Sequence, residues 1–268
     1  MEIRNSLLQL VPLAILISSS ATVQSTSHVN GVPTCENYIL NTYLFLTIAL
    51  SLVVTLTLFM NVIMPNYTDL LLSRLVILII VIITHIVLMF YLRYLINTIS
   101  PLEIKKKLAT WLLYIINLTL FLLPSLQIMI RHKMGGLIVS TMLITLCITL
   151  SLSAIAFAKP ELINTTQWKP YLFVALVILL LGYLVPIFSC LAGVCNNAFL
   201  NSWGYYIAIL AVIIFSFVLL YHTKEVIQNA EKCKKPEDAD YMKESTNLFM
   251  AIINIFFNLL SGRRKSRR

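Results

Sequence analysis

FVLLYHTKEVIQNAEKCKKPEDADYMKESTNLFMAIINIFFNLL, residues 217–260, carries the reading of the whole chain. An apolar segment runs out into a dense charge cluster, and a second apolar segment, residues 248–260, dives back. That second segment is 13 residues long, with Asn254 and Asn258 as its strongly polar side chains. About 20 apolar residues are needed to cross about 30 Å of hydrocarbon. Residues 248–260 therefore read as a short helix lodged among other helices, or entering part-way.

Composition sets the class. Mean hydropathy is +0.88, charged residues are 12% and apolar residues 59%, against roughly 25% and 45–50% in soluble domains. This is the profile of an all-α polytopic membrane protein, since no alternating ten-residue pattern of a barrel is present. The net charge of +9 is scattered at segment ends, so it reads as membrane orientation and not as nucleic-acid binding. The five cysteines, Cys35, Cys147, Cys190, Cys195 and Cys233, have no metal-ligand spacing.

Six spans precede the short helix: residues 43–64, closed by Pro65; 75–92, bracketed by Arg74 and Arg93; 108–130; 137–158; 170–193; and 203–221. The chain divides into an N-terminal segment and tail (1–36), one seven-helix membrane domain (37–262) and a basic tail (263–268). Residues 7–17 are an apolar run followed by SSSATVQSTS. This outlines either a cleaved signal peptide or a short interfacial helix with a tail.

Lys/Arg placement orients the bundle. With the N-terminus in the cytosol and the last helix returning to the side it left, 17 of the 20 basic residues are cytosolic. They are Arg4; Arg93, Lys105, Lys106 and Lys107; Lys159 and Lys169; the five lysines between 224 and 243; and the five of the tail. Full crossing by the last helix lowers the split to 12 against 8. The larger asymmetry favours both termini in the cytosol and an uncleaved N-terminus. The basic tail reads as an orientation signal and anionic-lipid contact.

All eleven acidic residues fall outside the apolar cores of these segments. Ionisable groups within a membrane are the default functional candidates, and here they are His85, deep in the second span, and His222, at the end of the sixth. His85 is either such a candidate or one half of a helix–helix hydrogen bond beside Thr84. His222 is either part of an ion path or an interfacial helix cap. Asn117, Gln127 and Asn254 read as interhelical hydrogen-bonding groups. Cys190 and Cys195 flank an uncharged loop, where a disulfide or two idle thiols fit equally. No nucleophile–His–acid constellation and no zinc motif is present, so neither an enzyme nor a bound cofactor or metal is expected.

FSFVLLYHTKEVI (residues 215–227) resembles the end of the sixth helix in the transmembrane Bax inhibitor motif family, the Bax inhibitor and lifeguard proteins. DYMKESTNLFMAIINIFFNLL (residues 240–260) is similar to that family's acidic-Tyr turn and final helix. AFAKPEL and the segment ENYILNTYLFLTIALSLVVTLTLF are weaker counterparts upstream, so that the resemblance covers residues 37–260. It implies six helices around a short central seventh. It also implies a calcium-permeable leak in endoplasmic-reticulum or Golgi-type membranes, gated by two buried aspartates, and suppression of cell death. Both aspartates are missing: His222 and Ala251 stand at their positions. Thr223, Lys224, Tyr241, Asn247 and Asn254 are retained.

Two functional classes follow. The first is a modulator of apoptosis and organelle calcium leak with altered gating, His222, Glu225, Asn254 and His85 being the path or gate residues and calcium the permeant ion. The second is a non-conducting membrane scaffold, for instance in a viral envelope or inner membrane; erosion of the acid pair fits a divergent, virus-carried member. Partners are the lipid bilayer and either apoptosis-regulating membrane proteins or viral structural proteins.

Overall fold

The structure, a computed structural model, describes residues 33–64, 67–72, 75–191 and 197–266. Most of the N-terminal segment 1–36 thus lies outside the described residues, as does Cys195. Among the described residues there are eight α-helices and no strand. They are α1 (Tyr38–Ile63), α2 (Tyr67–Leu72), α3 (Leu75–Thr98), α4 (Ile104–Arg131), α5 (Gly135–Ala158), α6 (Thr165–Leu191), α7 (Asn197–Lys232) and α8 (Tyr241–Ser266). All but the short α2 are long and apolar enough to cross a membrane. The fold is that of an all-α polytopic membrane protein.

Two compact units are present: residues 1–135 with 229–246, and residues 136–228 with 247–268. In the first, α4 is the core helix. Half of its most apolar stretch is buried, against 6% for that of α3, so α3 shows most of its surface to lipid. Trp111, Tyr114, Ile115 and Leu118 of α4 are buried, as are Leu46 and Ala49 of α1 and Ile96 of α3. Phe45 meets Trp111 edge-on, with centroids 5.5 Å apart. Gln127 ties three segments: its Nε2 donates to the Met64 carbonyl (2.9 Å), and its Oε1 accepts from Thr68 Oγ1 (2.6 Å) and the Thr68 amide. α4 ends in a Schellman motif. Met134 N–H bonds to Met129 O and Lys133 N–H to Ile130 O, with Lys133 at φ 57° in the left-handed position usually given to glycine.

Lys107, in the first turns of α4, is 2% exposed, and its Nζ lies 2.7 Å from Asp240 Oδ2 and 2.8 Å from the Ile99 carbonyl. Asp240 is also the N-cap of α8, its Oδ1 accepting the Lys243 amide at 3.2 Å. The next residue, Tyr241, stacks on Phe45, meets Tyr38 edge-on and exchanges hydrogen bonds with the Thr34 backbone.

In the second unit Leu179 of α6 packs with Ile207, Ala211 and Ile214 of α7. Gly182 permits that approach, since a Cβ there would stand 2.6 Å from Ile207 Cδ1. Its carbonyl accepts the Trp203 indole N–H at 2.9 Å. Tyr183 O–H donates to Asn258 Oδ1, and Arg263 donates to Ser140 Oγ (2.9 Å) and Thr141 Oγ1 (3.3 Å).

Two expectations are corrected. α7 does not stop at His222 but runs ten residues further, to Lys232. The sequence HTKEVIQNAEK holds no glycine or proline, buries Thr223 and Val226, and ends with a lysine facing the negative pole of the helix. Nor is the last helix short. The Asp240 cap starts it at Tyr241, and its 26 residues rise about 39 Å. Its beginning meets the beginnings of α1 and α4; its end, through Arg263, meets the beginning of α5. Alternating spans put the starts of α1 and α4 on one face of the membrane and the start of α5 on the other. A last helix that crosses suits these contacts and its length, and gives a basic split of 12 against 8.

Two outcomes are expected. A reporter tag at Glu237, in the exposed connector, and one at the C-terminus will fall on opposite sides in sealed microsomes; protection of both, or of neither, from external protease would show that α8 turns back. Asp240→Asn keeps a capping side chain yet removes the counter-charge of Lys107, and should lower stability by about 2–3 kcal/mol. Asp240→Ala should lose about 1 kcal/mol more, through the cap. Unfolding of the purified protein in detergent measures both, and an Asp240→Asn variant as stable as the parent would deny the pair its role.

Candidate functional site

The end of α7 carries the first group of candidate residues. His222 Nδ1 lies 2.8 Å from Glu225 Oε2, one turn on, and the other carboxylate oxygen accepts the Tyr221 hydroxyl at 2.9 Å. The carboxylate being an acceptor, Nδ1 carries the hydrogen. Tyr221 also packs edge-on against the His222 ring, with centroids 5.2 Å apart. His222 and Glu225 are thus a pair within one helix, side chains 18% and 32% exposed. This excludes the helix-cap reading of His222, because the helix continues past it. Thr223, retained from the motif, is fully buried and returns its hydroxyl to Leu219 O at 2.9 Å; Lys224 is half-buried.

On α8, Ala251, which the resemblance sets at the second acid position, is buried. Asn254 donates to the Met250 carbonyl of its own helix at 2.7 Å. The interhelical asparagine of α8 is Asn258, which donates to Asn254 O and accepts from Tyr183 of α6. Asn247 is half-buried. Tyr241 does not point toward any of these; it holds the N-terminal segment, as described above.

His85 pairs with Asn117 of α4, not with Thr84, whose hydroxyl returns to Ile80 O. Asn117 Nδ2 donates to the His85 carbonyl at 3.1 Å. That orients Asn117 Oδ1 toward His85 Nδ1 at 2.6 Å, so Nδ1 bears the proton. The Phe121 ring lies edge-on at 6.4 Å. Of the two readings open for His85, the geometry takes the helix–helix bond. Cys190 is disulfide-bonded; Cys195, its expected partner, lies outside the described residues.

Three features escaped the sequence. Glu244, counted among the acids outside the apolar cores, is buried, and its Oε1 accepts from Asn229 Nδ2 at 2.9 Å. Lys107 is buried against Asp240. Thr141, Thr145, Thr149 and Ser153 recur every fourth residue on α5, a single helix face. Thr141, Thr145 and Ser153 are buried, as is the Thr149 hydroxyl. The first two return hydroxyls to the preceding turn. The four-residue spacing was the available signal for this ladder; nothing local signals the burial of Lys107 or Glu244. Among the described residues, no three His, Cys, Asp or Glu side chains are grouped so as to hold a metal ion.

Residues 35–267 match the family described as Inhibitor of apoptosis-promoting Bax1. No curated protein and no solved structure matches the chain. The family match takes in every long helix of the fold and both segments on which the resemblance was read. The chain belongs to the Bax inhibitor family.

Proposed function

We propose that the protein modulates organelle calcium leak and cell death from an endoplasmic-reticulum or Golgi-type membrane, with its proton response moved from an acid pair to His222 and Glu225. The observation that carries this reading is the His222–Glu225–Tyr221 cluster. Where the family's first acid is replaced by His222, a carboxylate is kept one turn further along and held by two donors. In the resembled gating scheme two acids share a proton because both cannot be charged cheaply. A histidine–carboxylate pair behaves differently. With neutral imidazole the cluster bears one negative charge. A proton taken up by the imidazole leaves the cluster neutral. A divalent cation is held by carboxylate and other oxygen ligands, so acidification removes attraction.

Calcium flux into proteoliposomes of the full chain between pH 6 and pH 8 is the test. The parent should leak more at pH 8. His222→Ala, which keeps Glu225 charged, should remain leaky at pH 6, and Glu225→Gln should be slow at both values. His222→Asp combined with Ala251→Asp should enlarge the pH-dependent component. A parent leak that rises on acidification would remove the cluster from the mechanism.

Absence of leak from parent and double variant alike would favour the second reading, a non-conducting membrane scaffold. Two observations support that reading: the apolar side chain of Ala251 at the second acid position, and the hydrogen bond of Asn254 to its own helix.

A further inference from the structure

We propose that the Cys35–Cys233 disulfide is a redox-operated strap, opened by thiols on the cytosolic face, that closes residues 33–37 over the Lys107–Asp240 pair. Cys35 stands three residues before α1 and Cys233 directly after α7, and the two are bonded. The bond draws residues 33–37 onto the connector 233–240. There Thr34 exchanges backbone hydrogen bonds with the Tyr241 hydroxyl. Pro33 forms one wall of a cavity of about 130 Å³ that Lys107, Asp240, Tyr241 and Phe45 also line. The strap thus covers the ion pair from which α8 starts.

Span alternation gives the bond its chemical setting. Cys35 and Cys233 lie on the face where α1, α4 and α8 begin. Cys190, at the end of α6, is also disulfide-bonded and lies on the opposite face. A membrane separating cytosol from lumen puts one of the two bonds in contact with the cytosolic thiol pool, where disulfides do not persist as passive staples. Twelve of the twenty basic residues share the face of Cys35 and Cys233, which makes that face cytosolic. Both sulfurs belong to partly exposed residues, and Lys234 and Lys235, both exposed, follow Cys233. Neighbouring lysines favour the thiolate, the leaving group in exchange.

The exchange needs a monothiol such as glutathione. Its thiolate attacks one sulfur of the pair, the S–S bond breaks, and the other cysteine leaves as thiolate and takes a proton. A second thiolate then attacks the mixed disulfide and releases the remaining cysteine, which is protonated in turn. In sum, two thiols lose two electrons and two protons to the protein and leave as one disulfide. The Thr34–Tyr241 contacts and the hydrogen bonds of Asn41 to the Glu36 and Asn37 carbonyls then remain on residues 33–37.

Sealed microsomes carrying the full chain, equilibrated from outside with glutathione buffers of rising reducing strength and quenched by differential alkylation, test the assignment. Cys35 and Cys233 should become reduced together at a glutathione excess at least about tenfold lower than Cys190 requires. Reduction of Cys190 first, or retention of the Cys35–Cys233 bond throughout, overturns the proposal. Hydrogen exchange of the purified protein supplies the conformational arm. Amides of residues 34–42 and 237–245 should exchange at least about tenfold faster after reduction, and Cys35→Ser with Cys233→Ser should match the reduced parent without added thiol. Should that variant fail to fold, the reduced parent alone decides, and unchanged exchange on reduction overturns the strap.

Discussion

A lysine ammonium placed where water does not reach must find its counter-charge inside the protein. Lys107 is such a group, and Asp240 answers it. The same carboxylate caps α8, so one side chain fixes where that helix begins and which part of α4 it begins against. The Ile99 carbonyl, the third member, brings in the turn that follows α3. Tyr241 follows directly and engages α1 through Tyr38 and Phe45. Neither α4 nor α8 can slide along its axis without separating the charges. The register of the beginning of α8 against α4 follows from this start.

Elsewhere the polar side chains of the spans obey one rule: in a medium without water, a donor or acceptor must be satisfied within the protein. Serine and threonine hydroxyls mostly return to the carbonyl four residues back, as Thr42, Thr119 and Thr223 do. Amides reach between segments: Asn117 to His85, Gln127 to Met64 and Thr68, Asn258 to Tyr183. Asn254, by contrast, bonds within α8. These bonds join helices whose apolar surfaces are equally at home against lipid, where small residues such as Gly182 allow close packing and polar contacts add specificity.

Against that background the end of α7 stands apart. His222 and Glu225 pair within one helix. Glu225 needs the helix to continue past His222, so the residues beyond the apolar span are the ones that place it. In the proposed reading the charged pair belongs to α7 alone. An acid pair sharing one proton requires two helices to hold carboxylates together; a histidine–carboxylate pair three residues apart does not.

Six of the seven spans were legible in the chain, because a run of some twenty apolar residues has one fate in a bilayer and its charged ends mark its limits. The two helices misjudged, α7 and α8, are those whose ends are polar. HTKEVIQNAEK and YMKESTN are helical for reasons that hydropathy does not weigh: a buried face bearing Thr223 and Val226 in one case, the Asp240 cap in the other. The pairings of His85 with Asn117, of Lys107 with Asp240 and of Cys35 with Cys233 join residues 32, 133 and 198 positions apart. No local pattern encodes them, since any partner of suitable chemistry would satisfy each group. Sequence alone determined a helical membrane protein of the Bax inhibitor kind. Tertiary structure decided which polar groups meet and where the last helix begins, because only the packed chain sets which buried charge lies beside which helix end.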